Sequence, residues 1–79
     1  MATIYIDYLR NESHDAAALA KYVADASTDL VKAGMSIETI DMSAEDGSAE
    51  IWFHGDEASF LSYGYDAGDL KELDIYEAD

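Results

Sequence analysis

A small α+β fold is what this chain predicts: an antiparallel sheet of three to four strands packed against one long helix. The elements run in the order strand, helix, strand, strand, helix and a last short strand. Three observations carry this. Apolar and polar residues alternate with period two over residues 3–9 and 49–54, the mark of half-buried strands. Between them, apolar residues recur at helical spacing from Ala16 to Val31. Asp46-Gly47 then separates two strand-like runs with the chemistry of a hairpin turn. A ferredoxin-like βαββαβ arrangement is one candidate for that order.

The first strand is expected over residues 3–9, with Ile4, Ile6 and Tyr8 on one face and Tyr5, Asp7 and Leu9 on the other, and with Asn11, Glu12 and Ser13 ending it. Ile4 and Ile6 are expected inward, which leaves Tyr5 partly exposed. The helix is expected over residues 13–33, N-capped by Ser13 and stopped by Gly34, with Ala16, Leu19, Ala20, Val23, Leu30 and Val31 as its apolar positions. Its outer face carries Asp15, Lys21, Asp25, Asp29 and Lys32, where Lys21 can pair with Asp25 and Asp29 with Lys32.

Residues 35–43 form the second strand, whose apolar phase shifts between Ile37 and Ile40; a bulge near Glu38-Thr39 or a late strand start accounts for the shift. In the third strand Ile51 and Phe53 oppose Glu50, Trp52 and His54. Asp56 is placed to N-cap a short helix holding Ala58, Phe60 and Leu61. Two glycines break residues 63–69, after which 70–73 are expected to make a helical turn and 73–76 a short strand.

The 79 residues suffice for one core and one domain, residues 1–79. The hydrophobic fraction of 49% is that of a folding chain. Without cysteine there is neither a disulfide nor a thiolate metal site, and a second copy of the chain is one way to add buried surface. No basic, apolar leader or membrane-length apolar run occurs, so a cytoplasmic protein is the expectation.

Charge is the extreme property. Asp and Glu number 18 against four Lys and Arg, for a net charge of −14 at pH 7. Such a field opposes binding to DNA, RNA or anionic lipid, because that affinity comes from cationic side chains replacing counterions at phosphates. The partner it favours is basic.

Motifs for chemistry are sparse. His14 beside Asp15 and His54 near Asp56 invite a metal or acid–base role, but without a ligand set of defined spacing. No window supplies the oxygen series of a calcium loop, and there is no phosphate-binding glycine loop or nucleophile elbow. Paired carboxylates are common, yet a chain this short provides little of the cleft that enzymatic positioning needs. No enzyme and no cofactor are therefore expected.

The carboxylates themselves are the candidate instrument. Alternate residues of a strand stand about 6.6 Å apart and i,i+4 residues of a helix rise about 6 Å, intervals close to the separation of successive phosphates along a nucleic-acid strand. The candidate partner-binding residues are Asp15, Asp25 and Asp29 on the helix, Glu38, Asp41, Glu45, Asp46 and Glu50 on the hairpin, and Asp66, Asp69, Glu72, Asp74 and Glu77 in the C-terminal segment. Trp52 joins them as an aromatic contact, since Tyr and Trp are enriched at interface hot spots.

Small size, strong acidity, absence of cysteine and a chain built of a helix with a short sheet resemble the phage-encoded anti-CRISPR and anti-restriction inhibitors, several families of which are DNA mimics. The resemblance is one of whole-chain profile and designates no site residue. It implies an inhibitor acting in the host cytoplasm on a basic nucleic-acid-binding protein or ribonucleoprotein complex. Two rival explanations stand beside it: an antitoxin or adaptor that neutralises one basic protein partner, and a halophilic domain whose acids serve solubility alone.

Overall fold

The computed structural model describes residues 3–43 and 45–76. The elements run in the order β1 (Ile4–Glu12), α1 (Ala16–Ala33), β2 (Ser36–Ser43), β3 (Ser48–Asp56), α2 (Glu57–Tyr63), α3 (Ala67–Leu70) and β4 (Asp74–Ile75). The strands form one sheet in the order β2-β3-β1-β4, with every neighbouring pair antiparallel. This is the connectivity of the split βαββαβ unit. Among the described residues, no helix is long and apolar enough to cross a membrane.

Local chemistry sets each boundary. β1 runs on through Asn11 and Glu12, which the sequence marked as a break, because β3 continues opposite them to Ala49 and Ser48. α1 starts at Ala16. Its N-cap is Asp15, whose Oδ1 accepts the Ala17 N–H at 2.9 Å, while Ser13 forms the preceding turn by accepting the Asp15 N–H at 3.1 Å. Both are N-capping chemistries, and the carboxylate nearer the helix takes the cap. Gly34 ends the helix at φ 103°, a left-handed conformation that glycine adopts without a Cβ penalty.

The phase shift in β2 is a bulge: Ile37 pairs with Phe53 and Thr39 with Trp52, leaving Glu38 as the extra residue. Asp56 N-caps α2, accepting both the Ser59 N–H at 2.9 Å and the Ser59 hydroxyl at 2.8 Å. The helical turn expected over residues 70–73 lies earlier, at Ala67–Leu70, and β4 is limited to two residues.

The core lies between one face of the sheet and the helices. Leu30, Ile51, Phe53 and Phe60 are fully buried and cluster with Ala26, Met35 and Leu70. Along α1 the inward stripe is Leu19, Val23, Ala26 and Leu30, whereas Val31, an expected core position, is 59% exposed and Ala16 and Ala20 face solvent. Gly55 faces Met35 so closely that a Cβ would stand 2.5 Å from its sulfur, so the absence of a side chain lets the loop after α1 lie on β3.

β1 presents the opposite face from the one its sequence suggested. Tyr5, Asp7 and Leu9 pair with Gly55, Phe53 and Ile51 and so face the core, and Tyr5 packs edge-on to Phe60 with ring centroids 6.0 Å apart. The inversion has a specific cause. Asp7 tolerates the inner face because the Tyr65 hydroxyl donates to its Oδ2 at 2.6 Å, satisfying a half-buried carboxylate. Ile4, Ile6 and Tyr8 accordingly lie on the outer face.

Candidate interaction surface

The outer face of the sheet is covered by no helix of the described residues, since α1 and α2 share the buried cluster on the other face. Cross-strand partners lie on one side of a sheet, so the register orders this surface in rows. One row is Thr39, Trp52 and Tyr8; the next is Asp41, Glu50 and Arg10; on the other side lie Ser36, His54, Ile6 and Asp74.

Tyr8 and Trp52 stack with ring centroids 4.7 Å apart and planes at 26°, and Tyr8 is 47% exposed. The Trp52 indole N–H donates to Glu50 Oε1, which fixes the ring's orientation beside the carboxylate. Glu50 also stands 3.8 Å from the Arg10 guanidinium, whose closer partner is Glu12 at 3.1 Å. Asp41, directly across from Glu50, has no ion-pair partner among the described residues. Like charges opposite one another destabilise a strand pair, so the Asp41–Glu50 pair is retained against a local cost.

A second stack closes the far end of the face. The His54 and Tyr76 rings stack face to face, with centroids 4.1 Å apart and planes at 2°. The Tyr76 hydroxyl donates to Glu38 Oε2 at 3.2 Å, and that bond, ahead of any desolvation, pushes the phenol above its ordinary value. His54 Nδ1 is 3.1 Å from the same Glu38 oxygen, an ion-pair distance without good hydrogen-bond geometry. The bulge thus directs Glu38 onto the open face, where it joins β2, β3 and the segment after β4.

The expected partner-binding residues fall into separate places. Glu38, Asp41, Glu50, Trp52 and Asp74 share the open sheet face. Glu45 and Asp46 extend from the hairpin turn, exposed at one end of the sheet. Asp15, Asp25 and Asp29 belong to the helix layer, across the core from that face, and neither Lys21–Asp25 nor Asp29–Lys32 closes to ion-pair distance. Asp66 and Asp69 serve α3: the Asp66 N–H donates to Asp69 Oδ2 at 3.2 Å. Glu72 is exposed after α3, and Glu77 lies outside the described residues.

Tyr8, Arg10, His54 and Tyr76 belong to the surface although the sequence did not single them out for it. Tyr8 had a signal: Arg10 and Glu12 follow it at two-residue intervals, and charges in that phase mark the solvent face of a strand. Tyr76 had none, because its contacts depend on β4 pairing with β1.

Acid–base and metal chemistry find little geometry here. Among the described residues, no group of three His, Asp and Glu side chains is placed to hold a metal ion. His54 lies near the Asp56 end of β3, and His14 follows β1 at the Ser48 end, where Ser13 is bonded to Gly47. Six residues of strand, about 20 Å, separate those two ends. Depressions on the helix side, lined by Asp29, Lys32 and Tyr63 or by Leu9, Tyr65 and Asp69, are open to solvent.

Comparisons with protein-family models, with curated proteins and with solved structures returned no match.

Proposed function

We propose that this protein is an acidic inhibitor that occupies the basic groove of a nucleic-acid-binding protein or ribonucleoprotein complex, presenting carboxylates where phosphates would lie. A phage counter-defence role of the anti-CRISPR type fits this activity. The observation that carries it is the uncovered sheet face, on which a stacked Tyr8–Trp52 pair is bordered by the Asp41–Glu50 carboxylates. A stacked π surface flanked by anions is also what a stretch of nucleic-acid strand offers to its binding protein. The cross-strand carboxylate pair adds support: Glu50 is partly compensated by Arg10 and the Trp52 N–H, but Asp41 faces it across the hairpin against the local preference for unlike charges, and a local rule broken in this way is the pattern of a functional surface.

The overall charge of −14 would draw the protein to cationic grooves and make the complex weaken with salt. The test is capture from a bacterial lysate at low salt with the immobilised protein, followed by elution with duplex DNA. A nucleic-acid-binding protein released by DNA is the expected result. If no nucleic-acid-binding protein is captured, mimicry is wrong.

An antitoxin or adaptor acting on one basic partner is the second possibility, favoured by one observation. The acids divide between the sheet face and the helix layer, so a partner seated on the sheet face has no use for Asp25 and Asp29. A captured protein that DNA fails to displace would select this alternative.

A further inference from the structure

The open sheet face also specifies which cation it suits. Resting on the proposed function above, we infer that the partner contributes an arginine, whose guanidinium lies on the Tyr8–Trp52 stack and directs its N–H groups to Asp41 and Glu50. The geometry favours arginine over lysine on three grounds. The Tyr8 and Trp52 rings face each other, so the π surface on offer is the outward side of the exposed Tyr8 ring, and a planar, weakly hydrated guanidinium stacks on such a ring face where an ammonium remains a hydrated point charge. Carboxylates on adjacent strands accept the several donors of one guanidinium fork. Arg10 already displays the pairing at the β1 end of the row, 3.8 Å from Glu50, while Asp41 at the β2 end has no cation beside it among the described residues.

Trp52 is the only tryptophan of the chain, so its fluorescence reports on this surface alone. The probes are an arginine homopeptide and a lysine homopeptide of equal length, titrated into the full chain at low salt. The arginine peptide is expected to change the Trp52 emission and to bind about fivefold more tightly than the lysine peptide, the scale of an exposed cation–π contact. Tyr8→Leu should abolish that preference while leaving lysine-peptide affinity in place, and Asp41→Asn should weaken both peptides alike. Circular dichroism checks that each variant folds, and the wild-type comparison stands without them.

Equal affinities for the two peptides, with Trp52 emission unchanged, would overturn the arginine inference and leave mimicry by charge standing. Binding of neither peptide at low salt would overturn both.

Discussion

Tyr65 and Asp7, 58 positions apart in sequence, are joined by a 2.6 Å hydrogen bond in which the phenol donates to the carboxylate. The bond ties the segment after α2 to the inner face of β1 and lets an acid sit beside the core. Tyr65→Phe removes the donor and leaves that carboxylate half-buried without it. A loss of about 1 kcal/mol is expected, reduced from the full value of a charged hydrogen bond by partial solvation. Urea denaturation measures it, and Asp7→Asn combined with Tyr65→Phe should cost less than the sum of the two single changes.

The same phenol sets an alkaline limit. Burial first, and then the bond to Asp7, push the Tyr65 hydroxyl well above its ordinary value, and burial raises Tyr22 and Tyr63 as well. Below about pH 10 these tyrosines are protonated in both the folded and the unfolded chain, and their stabilisation is complete. Above it the unfolded chain releases protons that the fold retains, so stability falls as pH rises. The denaturation midpoint should drop through the alkaline range, with tyrosinate absorbance appearing as the chain unfolds. Tyr65→Phe should make the drop shallower.

Asp56 acts at the other end of the pH scale. The Ser59 N–H, followed by the Ser59 hydroxyl, holds its carboxyl below the ordinary range. Its contribution is present above the unfolded value, about 3.9, and is lost as pH falls through the lower folded value. Neutralising the other acids relieves repulsion over the same interval, so the informative quantity is a difference. Asp56→Ala should be less stable than wild type at neutral pH, and the gap should close on acidification.

Adjacent helix positions should differ sharply. Leu30 is fully buried against Ile51 and Phe53, and Leu30→Ala should cost about 2–5 kcal/mol. Val31, exposed beside it, should tolerate Ala within about 0.5 kcal/mol. Similar losses at both positions would contradict the observed face of α1.

Function and stability should oppose each other at Asp41. Asp41→Asn removes one of two carboxylates facing each other across the hairpin and should raise stability by a few tenths of a kcal/mol, about the scale of a cross-strand pair at a solvated surface. The same change should weaken capture of a basic partner. Thermal denaturation and the binding assay, performed on one preparation, read both effects.

Most of the fold was legible because its boundaries rest on local chemistry. Gly34 at the end of α1, the Asp46-Gly47 turn, the Glu38 bulge and the Asp56 cap are each decided by residues within a few positions of one another. The face of β1 was not, because the acceptability of Asp7 inside depends on Tyr65, and nothing near Asp7 announces that phenol. The candidate surface was legible in half. Alternation alone turns Trp52 away from Ile51 and Phe53, but its stacking partner follows from the Tyr8–Trp52 register. The distribution of acids between sheet and helix layers is likewise a property of topology.

The bulge at Glu38 has a consequence for self-association. β2 is an edge strand eight residues long, and such edges can template strand addition from another copy. Here the extra residue interrupts the regular pairing pattern, and Glu38 and Asp41 place negative charge along the same border. Two copies meeting edge to edge would bring these charges together on top of their mutual net repulsion. The acids proposed to attract a cationic partner therefore also oppose extension of the sheet by another copy along its β2 edge.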